Sequence, residues 1–66
     1  MYEMVITFID IMGGITRKIN YLMPNLDDAT NRAKWFSTFE NVNYVDIIDL
    51  MTGEVMASFA EGKYID

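Results

Sequence analysis

Ten carboxylates, the serines Ser37 and Ser58, and a few lysines are the side chains with which this 66-residue chain could do chemistry; it has no histidine and no cysteine. The commonest general base and the thiol nucleophile are therefore missing. Ser37 and Ser58 have no activating partner nearby in the sequence, and nothing beside Lys18 or Lys34 would activate an amine. Asp46 and Asp49 lie three apart in a strand-like segment, so they point to opposite faces and share neither a proton nor a metal. Asp27 and Asp28 open a helical stretch, where complementing the helix dipole explains them. Gly13-Gly14 lacks the longer glycine spacing and following helix of a phosphate cradle. Without thiolate or imidazole, disulfides, zinc fingers and iron–sulfur clusters are excluded. The expectation is a chain with no catalytic, cofactor or metal site.

The elements that position these residues follow from periodicity. Residues 2–12 (YEMVITFIDIM) are β-branched and aromatic on both alternating faces, as in a central strand. Residues 15–22 (ITRKINYL) alternate apolar and polar, and Gly13-Gly14 between the two segments suits a tight hairpin turn. Setting Met12 opposite Ile15 pairs Asp10 with Arg17, Phe8 with Ile19 and Ile6 with Tyr21. Pro24 then breaks the strand, and Asn25 caps a helix expected over residues 26–40. Leu26, Ala29, Ala33 and Phe36 form its apolar stripe, with Trp35 and Phe39 on the flanks. Residues 43–50 and 54–60 read as a second hairpin around Met51-Thr52-Gly53, with Gly53 left-handed. In that register Val45, Ile47, Val55, Ala57 and Phe59 share one face, and Asp46, Ile48, Met56 and Ser58 share the other. The tail from Glu61 is expected to fray or extend the chain briefly.

The layout is hairpin, helix, hairpin. It implies one α+β domain over residues 1–66, ββαββ, a four-stranded mainly antiparallel sheet with the helix packed on one face. Parallel pairing of the first and last strands would make it β-grasp-like; a plain meander is the alternative. The order of elements resembles that of the small bacterial immunoglobulin-binding domains. That resemblance covers layout only and matches no binding motif, so it implies a fold and no function.

Composition narrows the functional classes. A formal charge of −5 disfavours direct nucleic-acid binding, which needs a basic face. No apolar run nears the ~20 residues of a membrane span. No basic region precedes the first apolar stretch, so an intracellular, cytoplasmic protein without a signal peptide is expected. Four tyrosines, four phenylalanines, one tryptophan and six methionines are more than a thin core under one helix can bury. The sheet face away from the helix would show Val5, Ile9, Ile11, Tyr44, Ile48, Leu50 and Met56. Such a patch marks an interaction surface, and a homodimer is its simplest use. Trp35 reads either as a cap on the core edge or as an interface anchor.

The acids support a different expectation. Asp46, Glu54, Asp27, Asp28 and Glu40 could imitate nucleic-acid phosphates and block a host protein, as inhibitors from phages and mobile elements do. Against this, a net negative charge also simply keeps a small apolar protein soluble. Abundant isoleucine and asparagine fit an AT-rich bacterial or phage genome.

Overall fold

Residues 1–9 and 17–65 are described by a computed structural model. In chain order the elements are β1 (Tyr2–Phe8), β2 (Lys18–Met23), α1 (Leu26–Phe36), β3 (Val42–Asp49), β4 (Val55–Ala60) and β5 (Lys63–Ile65). The strands form one sheet in the order β2-β1-β3-β4-β5, and every neighbouring pair is antiparallel. This is an α+β fold with one helix on an antiparallel sheet. β1 is interior, as its two apolar faces demand, and Met4, Val5, Ile6 and Thr7 are all buried.

The described residues form five strands, where four were expected. Glu61 (φ 55°) and Gly62 (φ 75°) both take positive φ, the pattern of a two-residue type I′ turn. That turn folds Lys63–Ile65 back on β4, with Tyr64 edge-on to Phe59 at 5.8 Å. The β-grasp expectation also fails. β1 pairs antiparallel with β3, not parallel with the last strand, so the layout of the immunoglobulin-binding domains is not reproduced. Helix α1 instead carries the chain from β2 across β1 to β3, a split β-α-β crossover, and β3-β4-β5 continues as a meander.

The first hairpin is offset by two residues from the expected register. Phe8 N–H donates to Arg17 O at 2.9 Å, Ile6 faces Ile19, and Met4 faces Tyr21. A shift of two keeps every side chain on its own face. The proposed Gly13-Gly14 turn, and the pairings of Asp10 and Met12, lie outside the described residues.

Asn25 caps α1 as expected; its side-chain oxygen accepts from Asp28 N–H at 3.1 Å. Ala29 and Ala33 are fully buried and let the helix lie close against β1 and β3. The helix ends at Phe36 rather than near Glu40. Ser37 Oγ donates to Lys34 O at 2.7 Å and Thr38 Oγ1 to Trp35 O at 2.6 Å, so hydroxyls satisfy carbonyls that a longer helix would have used. The core joins Met4, Ile6, Met23, Ala29, Ala33, Val42, Val45, Ile47 and Phe59, all between sheet and helix.

Val55 departs from its expected face. A bulge between Ile47 and Ile48 sets Val55, not Met56, opposite Ile48, and Val55 is 57% exposed. The β3–β4 connection closes as foreseen on left-handed Gly53 (φ 77°), whose N–H donates to Asp49 O at 2.7 Å.

Candidate interaction surface

The uncovered side of the sheet is built from alternate residues of each strand. The pairing register places Leu22, Glu3, Ile48 and Val55 in one row across it, and Asn20, Val5, Asp46 and Ser58 in the next. Lys18, Thr7 and Tyr44 make a third. No other layer of described residues lies on this side. Exposed apolar side chains gather at the β3–β4 end, where Leu50, Val55 and Met56 surround half-buried Ile48. Leu22, 65% exposed, stands at the opposite edge beyond Glu3.

The expected partner-binding residues divide accordingly. Ile48, Leu50, Met56 and half-buried Tyr44 lie on or beside this face with surface to offer. Val5 does not: it is 7% exposed, sunk between Asn20 and Asp46, and is corrected from contact residue to filler of the central strand. Ile9 is exposed but sits past the end of β1, its N–H donating to Asn41 O at 2.8 Å. Ile11 lies outside the described residues. The face is not continuously apolar, because Glu3 and Asp46 interrupt it. Leu22 and Val55 belong to it and were missed, Leu22 because only the strand order shows that β2 is an edge.

Trp35 is on the helix side. Its ring meets Phe36 at 4.9 Å and Phe39 at 4.8 Å, both edge-on, and Phe36 stacks with Tyr21 at 6.4 Å. Trp35 thus shields the core edge while keeping 58% of its surface exposed.

Among the described residues, the acids expected to form a surface do not converge. Asp46 accepts from Ser58 Oγ at 2.5 Å across the β3–β4 pair. Asp28 pairs with Arg32 at 3.3 Å within the first helical turns, and exposed Asp27 adjoins it. Glu54 is in the β3–β4 turn and Glu40 just past the helix. Among the described residues, no group of three or more acids could hold a metal ion.

A cleft of about 420 Å³ opens at the end of the helix, lined among others by Ser37, Glu40, Val42 and Glu61. The one hydroxyl there that is buried is already engaged, since Ser37 Oγ donates to Lys34 O and accepts from Gly62 N–H at 3.0 Å.

Against family models, curated proteins and solved structures alike, the chain finds no match. No helix among the described residues is long and apolar enough to cross a membrane.

Proposed function

We propose that this chain is a small non-catalytic protein-interaction module that self-associates through the uncovered side of its sheet. The observation that carries this reading is the cluster of Leu50, Val55 and Met56, each more than 40% exposed, around Ile48 on a face that no other layer of the described residues covers. Exposed apolar patches of this kind are characteristic of contact surfaces, and methionine adapts well to them. A second copy is a fitting occupant because the same face carries both signs of charge, Lys18 against Glu3 and Asp46. Two twisted sheets can stack face to face in an aligned packing. The absence of catalysis rests on the missing histidine and cysteine, and on serine hydroxyls that donate to Lys34 O and to the Asp46 carboxylate.

The test is the solution mass by light scattering, over a range of concentrations, of the wild type and an Ile48→Asp, Met56→Asp double variant. The double variant should have half the wild-type mass while remaining folded by circular dichroism. An unchanged mass overturns the face contact.

A further inference from the structure

β2 is an end strand, and its outer edge has no partner among the described residues. The two edges of the sheet are not alike. β5, at the other end, has only three residues, which is how folded proteins commonly blunt an edge. β2 has six, with no proline and no acid, and four of them are exposed.

Which backbone groups β2 offers is fixed by its pairing with β1. Because Phe8 N–H donates to Arg17 O, the residues bonded to β1 are Arg17, Ile19, Tyr21 and Met23. Alternation then points the N–H and C=O of Lys18, Asn20 and Leu22 outward. The opposite side of β1 agrees: Ile9, one residue on from Phe8, donates towards β3 through Asn41 O.

We infer that two copies of this chain pair antiparallel along β2, with Asn20 of each copy opposite Asn20 of the other, to make one continuous sheet. This extends the self-association proposed above and rests on it. In this register Lys18 bonds Leu22 of the second copy and Asn20 bonds its own counterpart, so every outward donor and acceptor of β2 is used. On the helix side Ile19 meets Tyr21 of the second copy, an aliphatic–aromatic cross-strand pair. The neighbouring two-fold registers are worse. Centring on Tyr21 or Leu22 sets Lys18 or Asn20 against Pro24, which has no N–H to give; centring on Ile19 runs Leu22 past the start of the other β2, and centring on Lys18 opposes two ammonium groups.

Charge selects the same arrangement. The basic start of β2, Arg17 and Lys18, runs beside the far end of the other β2, where Met23-Pro24-Asn25 leads into Asp27 and Asp28. Arg17 falls opposite Met23 of the second copy, next to that acidic first helical turn. The overall charge of −5 repels a second copy, but at this edge opposite signs meet.

Edge pairing and face stacking are separate contacts, so together they assemble more than two copies. The experiment compares Asn20→Pro with wild type by light scattering over the same concentrations. Proline removes only an outward N–H, a position edge strands tolerate. Asn20→Lys is the second variant; it sets two lysines against each other without touching the backbone. The wild type should be heavier than a dimer, and each Asn20 variant should fall to a dimer with unchanged circular dichroism. Combining either with Ile48→Asp and Met56→Asp should give the 7.6 kDa monomer. If both Asn20 variants keep the wild-type mass while Ile48→Asp, Met56→Asp halves it, the edge pairing is overturned and the face contact stands. The converse overturns the face contact alone, and a wild-type monomer at every concentration overturns both.

Discussion

The Gly62 backbone N–H donates to Ser37 Oγ across 3.0 Å, joining the β4–β5 turn to the end of the helix from 25 positions away in sequence. The same hydroxyl donates to Lys34 O at 2.7 Å, so one buried side chain closes the helix and anchors the last strand. Ser37→Ala removes both bonds and leaves Lys34 O and Gly62 N–H short of partners. The expected loss is about 1–2 kcal/mol. With a urea m-value of about 1 kcal/mol/M for a domain this small, the unfolding midpoint should fall by about 1 M or more. Protein concentration must be held fixed, because self-association adds to apparent stability. An unchanged midpoint would remove Ser37 from the framework of the fold.

Gly62 and Gly53 both have positive φ, 75° and 77°, yet their surroundings differ. A Cβ on Gly62 would lie 3.0 Å from Thr38 Cγ2, whereas nothing lies within 4 Å of one on Gly53. Gly53→Ala should therefore cost only the left-handed backbone penalty, about 1 kcal/mol. Gly62→Ala should cost that and the displacement of Thr38. Paired urea titrations should place Gly62→Ala below Gly53→Ala; the reverse order would mean that the β5 turn carries little of the stability.

Thr7 is buried on the uncovered side of β1, between Lys18 and Tyr44, and its Oγ1 has no hydrogen-bond partner among the described residues. Valine has the same shape without the hydroxyl. Thr7→Val should stabilise by about 1 kcal/mol, since a buried, unpaired hydroxyl costs more than the methyl that replaces it. A lower thermal midpoint for Thr7→Val would show that the hydroxyl does find a partner.

Much of the fold was legible in the residues themselves. Asn25, the acids behind it and the Ala29–Ala33 stripe specify a helix and the side it buries, because capping and period are local properties. Alternation likewise placed Val45, Ile47 and Phe59 on one face of the second hairpin and Asp46 with Ser58 on the other. Where the structure departs from expectation, the choice was between arrangements with the same local pattern. A two-residue offset in the β1–β2 hairpin exposes and buries the same side chains, so alternation cannot select Ile6 against Ile19 over Ile6 against Tyr21. The helix end was decided by Ser37 and Thr38, whose hydroxyls compete for the carbonyls of Lys34 and Trp35. The bulge that turned Val55 outward falls where Val55, Met56 and Ala57 are apolar in succession, so periodicity there does not say which side chain faces out.

Strand order lay furthest from the sequence. That β1 pairs with both β2 and β3, and that a three-residue β5 completes the sheet, depends on contacts between distant segments. The candidate surface follows the same division. Its residue types were readable as a surplus of apolar side chains, but only the tertiary structure made β2 an edge, sank Val5 and gathered Ile48, Val55 and Met56 at one end of the face. Side-chain periodicity is set by the backbone geometry of each segment alone, whereas edges, registers and neighbours are set by how segments exclude water together.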